Sequence, residues 1–95
     1  MSNVKEYWLR IRGQLRLLLD SMRSSLDQET IDAVLEYIEH REFGLALQLL
    51  DDVTVERKIP LTKDQNDKMR LLADLMKIDL PAVVSPGRNL DSNGR

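Results

Sequence analysis

The sequence has no cysteine, one histidine and four glycines among its 95 residues, and its apolar runs are short. Without cysteine there can be no disulfide framework, thiolate metal site or cysteine nucleophile. One histidine excludes multi-histidine metal sites, and four glycines are too few for a phosphate-cradling loop in addition to ordinary turns. The longest apolar runs, such as Leu17–Leu19, are far below the roughly 20 residues that span a membrane. We therefore expect no metal, no cofactor and no membrane contact.

The apolar content is sufficient for one packed domain. The chain is 42% hydrophobic, and its length suits a single domain. The first residues carry Lys5, Glu6 and Arg10 and include no apolar signal segment, so we expect a cytoplasmic protein. We predict one helical domain over residues 1–80 and a flexible tail over residues 81–95, where proline, glycine and serine replace the apolar pattern.

Apolar residues recur at steps of three and four in four segments, which predicts an all-α fold: a compact bundle of about four helices. The first helix is predicted over residues 4–22. Its apolar stripe consists of Val4, Trp8, Ile11, Leu15, Leu18 and Met22. Because Trp8 falls on this stripe, we expect it in the core. Gly13 interrupts the pattern at a cost of about 1 kcal/mol relative to alanine, which is compatible with close approach of a neighbouring helix.

Local signals mark where the other helices begin. They are predicted over residues 28–40, 42–55 and 63–77. Asp27 is a suitable N-cap for the second helix. Thr62 and Gln65 match the capping-box spacing at the start of the fourth. The third helix is apolar on almost all sides, so we expect it near the centre of the fold.

The charges are unevenly distributed along the chain. Residues 1–23 hold five basic and two acidic side chains, residues 24–56 hold one basic and nine acidic, and residues 57–95 hold eight basic and five acidic. The middle third is therefore strongly acidic between two mildly basic segments. Such asymmetry bears on partners and association rates and not on the fold.

Four carboxylates of the second helix, spaced three, four and three residues apart, form one row: Glu29, Asp32, Glu36 and Glu39. Like charges at these spacings destabilise a helix by about 0.2–0.5 kcal/mol per pair, so stability alone does not favour the row. One interpretation is a solvated face neutralised by basic residues of the first or fourth helix. The other is a surface that meets a basic partner.

Further candidates for a partner-binding surface lie nearby in the sequence. A second acidic group consists of Asp51, Asp52 and Glu56. Tyr37 lies off the buried stripe of the second helix and is a candidate aromatic anchor, because tyrosine is enriched in interface hot spots. Half-buried packing is the alternative interpretation of Tyr37.

The residues do not indicate an enzyme or a nucleic-acid-binding protein. His40 is the only histidine base, and its position at a helix end favours a solvated residue without a catalytic role. Arg12, Arg16 and Arg23 can share one side of the first helix, as a phosphate-binding stripe would. Against this, the isoelectric point is about 5.3, and no stacking aromatic residue accompanies the stripe. We expect these arginines to pair with the acidic helices.

The segment Ile38–Leu50 resembles the signature of MafI-family immunity proteins. Its glutamate, aromatic residue and glycine lead into a helix rich in alanine and leucine. The segments Leu26–Asp27, Ile59–Leu61 and Leu75–Asp79 also fit, so that the resemblance covers roughly residues 15–80. The chain departs from the family pattern in two places. It has His40-Arg41 near a turn where glycine or a small residue is expected, and Lys77 where glycine is usual.

The resemblance implies a small helical protein that neutralises a cognate bacterial toxin, as in contact-dependent growth inhibition. The toxin domain is often a C-terminal nuclease, and EndoU-type ribonucleases are a frequent pairing. A nuclease is generally basic because it binds a polyanion, so its inhibitor should present carboxylates. We expect contact through the acidic residues named above and Tyr37, with no direct binding of nucleic acid.

Two other functions stay open. The first is a small helical adapter or oligomerisation module, in which the apolar faces of the first and fourth helices meet another copy of the chain. The second is a nucleic-acid-binding antidote that uses Arg12 and Arg16. The sequence does not decide the oligomeric state.

Overall fold

The computed structural model describes residues 3–78 and residue 80, and this part of the chain forms four α-helices. Their bounds are Asn3–Met22 (α1), Gln28–Glu39 (α2), Phe43–Glu56 (α3) and Lys63–Met76 (α4). A short 3-10 turn over Arg23–Ser25 joins α1 to α2. The predicted all-α class is confirmed, and each predicted helix agrees with the structure to within one residue at either end. The tail predicted over residues 81–95 lies outside the described residues.

Side-chain caps explain where α2 and α4 begin. The backbone N–H of Thr30 donates a hydrogen bond to the Asp27 carboxylate at 2.9 Å. In the capping box, the N–H of Gln65 donates to the Thr62 hydroxyl at 3.1 Å, and the N–H of Thr62 donates to the Gln65 side-chain oxygen at 3.0 Å. These bonds satisfy N–H groups that have no partner within the helix, as the sequence predicted.

The ends of α2, α3 and α4 share one backbone geometry, which is adopted here by residues other than glycine. Each is followed by a basic residue in the left-handed conformation: Arg41 (φ 59°), Lys58 (φ 53°) and Lys77 (φ 58°). After α4, the N–H of Ile78 donates to the carbonyl of Ala73 at 2.8 Å, which is the long bond of a Schellman motif. This conformation favours glycine, because a side chain at positive φ adds strain.

The helices pack in two main pairs around one core. α2 packs chiefly against α3 and α1 chiefly against α4, and α3 also contacts α1 and α4. The α1 face at the centre is fully enclosed, with Ile11, Leu15 and Leu19 each at 0% exposure. α3 contributes Leu47 and Leu50, and α4 contributes Met69 and Leu72, all at 0% exposure. α1 and α3 each contact all three of the other helices, so the central position predicted for α3 is shared with α1.

Two expectations about the core are wrong at the start of α1. Val4 is 61% exposed and Trp8 is 39% exposed, although both lie on the predicted apolar stripe. The Trp8 ring packs against Phe43 with centroids 5.4 Å apart, and the rest of its accessible surface faces solvent. Gly13 does not mark a close helix contact in the described part of the chain, because a β-carbon built there would meet no atom of another described element within 4 Å.

Candidate functional site

The four carboxylates predicted to form a row do so on the outer face of α2. Glu29, Asp32, Glu36 and Glu39 are all exposed, whereas the opposite face of α2 buries Ile31, Val34 and Ile38 at 4% exposure or less. The helical spacing therefore separates the charges from the core. We call these four residues the acidic row.

Among the described residues, the acidic row has no ion-pair partner. Asp32 accepts a hydrogen bond from the Gln28 side-chain amide at 2.9 Å. Among the described residues, no lysine or arginine nitrogen lies within 4.0 Å of a carboxylate oxygen of the row. Arg16 of α1 lines a cleft together with Asp32, Glu36 and Glu39, so it moderates the local potential without pairing. The expected neutralisation by basic residues of the first or fourth helix is thus limited to this neighbour.

Other acidic residues outside the row do have cationic partners. Arg57 lies 3.2 Å from Asp27, and Arg23 lies 2.9 Å from Asp20. Asp67 is contacted by Lys63 at 2.9 Å and by Arg70 at 3.1 Å. Other exposed carboxylates, such as Asp52, Asp64 and Asp74, also have no ion pair among the described residues. The acidic row is distinguished by placing four unpaired carboxylates along one face of one helix.

The second acidic group does not form one surface. Asp51 is 1% exposed, so its carboxylate cannot be offered to a partner, and its predicted role is wrong. Positions 47, 50, 51 and 54 follow one another at steps of three, one and three, which places them on one side of a helix. That side of α3 faces the core, so Asp51 is buried along with Leu47, Leu50 and Thr54.

Asp52 and Glu56 remain accessible. Both side chains are exposed, and their spacing of four residues places them on the same side of α3. They form a second, smaller acidic surface carried by a different helix from the acidic row.

Tyr37 is half-buried and packs against the core cluster. It lines a cleft of about 420 Å³ with Ala33, Glu36, His40 and Glu42. The ring is therefore partly used for packing, which was the alternative interpretation, and its accessible part lies beside Glu36 of the acidic row.

His40 lies at the C-terminal end of α2 beside the acidic row. Its ring Nδ1 lies 2.9 Å from the backbone carbonyl of Glu36. The hydrogen bond to this carbonyl raises the pKa of His40, and the negative charges of Glu36, Glu42 and Glu39 raise it further. A protonated imidazole here places positive charge where the helix dipole is negative. The ring is exposed and acts as a helix-terminal group.

The arginines considered for nucleic acid lie close to carboxylates. Arg23 pairs with Asp20, and Arg16 shares its cleft with three members of the acidic row. Arg12 lines a neighbouring cleft that also contains Glu39. Phosphate groups approaching this side of α1 would meet these carboxylates as well as the arginines, which weakens the electrostatic attraction on which such binding depends.

An aromatic surface at the start of α1 was not predicted from the sequence. Tyr7 is 37% exposed, Trp8 39% and Leu9 54%. Successive residues of an α-helix point about 100° apart, so three consecutive apolar residues cannot all face one core. That run was a signal in the sequence that at least one of them would be exposed.

Among residues 3–78 and residue 80, no helix is long and apolar enough to cross a membrane. The same residues contain no group of three or more histidine, aspartate or glutamate side chains arranged to hold a metal ion.

Comparison of the chain with protein-family models, with curated proteins and with solved structures found no match.

Proposed function

We propose that the chain is an immunity protein that binds and neutralises a cognate bacterial toxin domain. The toxin is a nuclease, with an EndoU-type ribonuclease as the best candidate. The observation that carries the proposal is the exposed acidic row of α2, which has no ion-pair partner within 4.0 Å among the described residues. The resemblance of residues 38–50 to MafI-family immunity proteins supports the same function.

The energetics of the acidic row favour a role in association over a role in stability. Its three neighbouring pairs each oppose helix formation by about 0.2–0.5 kcal/mol. A basic partner turns this repulsion into attraction, because its cations are placed between the carboxylates. Charge complementarity of this kind raises the association rate and excludes partners of the wrong sign.

Inhibition on this proposal needs binding and no catalysis. The carboxylates of the acidic row occupy positions on the toxin where RNA phosphates would sit, or they neutralise the basic rim around them. RNA is then excluded by charge and by volume. One inhibitor molecule protects against one toxin molecule, so the effect is stoichiometric.

The experiment uses the C-terminal domain of the protein encoded immediately upstream. RNA cleavage by this domain is measured alone and with one equivalent of the chain. Loss of cleavage at a one-to-one ratio is the expected result. Cleavage that persists, with no complex on size-exclusion chromatography, rejects that pairing.

A double charge reversal then tests the surface. Asp32→Lys with Glu36→Lys should weaken toxin binding while circular dichroism shows unchanged helical content. Asp64→Lys with Asp74→Lys is the matched control, because it reverses the same number of exposed charges on α4. Equal loss of affinity in both double variants would indicate a net-charge effect and would refute the assignment to the acidic row.

A second candidate function is the adapter or oligomerisation module. α1 leaves Leu9 and Leu17 more than half exposed, and α4 leaves Leu71 at 51%. A dimer that forms with rising concentration, together with no affinity for the toxin domain, would favour this function. Salt-dependent DNA binding that is lost on replacing Arg12 and Arg16 would favour the nucleic-acid-binding antidote instead.

A further inference from the structure

The start of α1 and the turn between α2 and α3 enclose a cleft that the proposed function does not use. Its volume is about 550 Å³, which falls within the roughly 300–1,000 Å³ of typical ligand sites. Its apolar lining comes from Val4, Trp8, Leu9, Ile38 and Phe43. We call it the Trp8 cleft.

The aromatic wall of the Trp8 cleft is held in place by its neighbours. Trp8 packs on Phe43, which is 3% exposed, and its other ring neighbour is Tyr7 at a centroid distance of 5.4 Å. The Tyr7 hydroxyl donates a hydrogen bond to the carbonyl of Leu75 at 2.7 Å, which ties this end of α1 to α4. A wall that is already ordered loses little side-chain entropy when it binds a partner.

The charges around the Trp8 cleft have the opposite sign to the acidic row. Lys5, Arg12 and Arg41 line it, and Glu39 is the one carboxylate that the described residues contribute. Lys5 and Arg12 are seven residues apart on α1, which corresponds to about 10 Å along the helix axis. Arg41 belongs to the turn between α2 and α3. The backbone positions of the three cations are therefore distributed along and across the cleft.

This distribution decides which occupant fits. A small anion would leave the apolar lining of the cleft uncovered. A protein segment covers this lining when an apolar side chain enters the cleft and carboxylates on either side of it meet the cationic rim. We propose that the Trp8 cleft is a docking site for such a segment of a partner protein, apolar at its centre and acidic at both flanks.

The proposal does not depend on the identity of a toxin. The acidic row selects a basic surface, whereas the Trp8 cleft selects an acidic and apolar segment. Glu39 lines both the Trp8 cleft and the cleft beside the acidic row, so the two surfaces are contiguous. Either surface can fail its test while the other passes.

The test exploits the presence of one tryptophan in the whole chain. With excitation selective for tryptophan, the emission and its quenching by acrylamide report on the Trp8 cleft alone. The probe is a blocked peptide with leucine, phenylalanine and leucine at its centre and three aspartates at each end. We expect a blue shift and reduced quenching on titration, with a Kd on the order of 100 µM.

Controls separate charge, site and fold. A twin peptide with lysines in place of the aspartates should leave the emission unchanged. Arg12→Glu should weaken binding of the acidic peptide by at least about fivefold, because loss of a rim contact of about 1 kcal/mol accounts for that factor and the new carboxylate adds repulsion. Arg10→Glu makes the same charge change at an exposed position that does not line the cleft, and it should change the Kd by less than roughly twofold.

Three results would overturn the proposal. The first is unchanged quenching up to millimolar acidic peptide. The second is equal binding of the lysine twin, or equal effects of Arg12→Glu and Arg10→Glu. The third is a tryptophan that is fully shielded from acrylamide in the free chain. A shielded tryptophan would mean that a second copy, or residues of the chain outside the described part, already fill the cleft, and its dependence on concentration distinguishes the two.

Discussion

The same substitution at two glycines should have different effects on stability. Gly13 lies in the interior of α1 and is exposed, and no atom of another element in residues 3–78 lies within 4 Å of an ideal β-carbon there. Gly44 lies in the first turn of α3, and there an added β-carbon would be 3.1 Å from the Cδ1 atom of Ile78. Replacing each with alanine therefore separates helix propensity from packing.

The magnitudes follow from these surroundings. Alanine is favoured over glycine by about 0.8–1.0 kcal/mol in a helix interior, and nothing near Gly13 opposes the methyl group. Gly13→Ala should therefore raise the free energy of unfolding by about 0.8 kcal/mol. Gly44→Ala should gain less free energy of unfolding, because helix propensity has a smaller effect in the first turn than in the helix interior. It also pushes on Ile78, whose N–H donates to Ala73 at the end of α4, so we expect no net gain.

Urea unfolding followed by circular dichroism measures both variants. For a domain of this size, a gain of 1 kcal/mol corresponds to a rise in Tm of roughly 4–8 °C. In thermal unfolding, Gly13→Ala should therefore have a Tm several degrees higher than the unchanged chain. A destabilised Gly13→Ala variant would refute the reasoning, since it would mean that another element or another copy approaches α1 at this point.

Three further predictions concern helix ends. Lys77→Gly should stabilise the chain by about 0.5–1 kcal/mol, because relief of left-handed strain of roughly 1–2 kcal/mol exceeds the loss of a cation at the helix end. Lys77→Ala keeps the strain and should give no gain in stability in the same urea assay. The pKa of Asp27 is lowered to about 2 by hydrogen bonds from Thr30 and by the nearby Arg57. Its contribution to stability is therefore present above pH 4 and is lost as the pH falls towards 2. Asp27→Asn keeps the cap and should reduce the fall in the free energy of unfolding between pH 4 and pH 2. An unchanged fall would contradict the assignment. The pKa of His40, measured by NMR, should lie above its ordinary value of 6.5. The stability that the protonated ring adds should be present below pH 6.5 and lost as the pH rises through the folded pKa. A pKa at or below 6.5 would show that the bond to Glu36 is not formed.

The starts and faces of the helices were predictable because their causes are local. An N-cap such as Asp27 and a capping box such as Thr62 with Gln65 act over three residues. The central part of the α1 stripe is buried as predicted, because helical spacing alone decides which side chains share a face. The exposure of the acidic row was predictable for the same reason.

The exceptions arise where burial depends on distant elements. Periodicity places Trp8 on the face of α1 that contains the buried Ile11 and Leu15, but at this end of the helix the indole is in ring contact only with Tyr7 and Phe43 among the described residues. Asp51 shows the opposite case. Its charge predicts exposure, whereas its position between Leu47 and Thr54 on one side of α3 places it in the core. Neither outcome follows from a window of a few residues.

The acidic row and the Trp8 cleft are contiguous, so one partner could cover both. Salt should affect the two contacts differently, because they act over different distances. The acidic row contributes through long-range attraction, which is screened over about 10 Å at 0.1 M salt and is expressed chiefly in the association rate. The apolar contact at Trp8 is short-ranged and resists dissociation, as aromatic hot spots do. Raising the salt concentration should therefore slow association while leaving dissociation nearly constant. Trp8→Ala should speed dissociation while leaving the association rate nearly constant. A partner bound through the acidic row alone would be insensitive to that substitution.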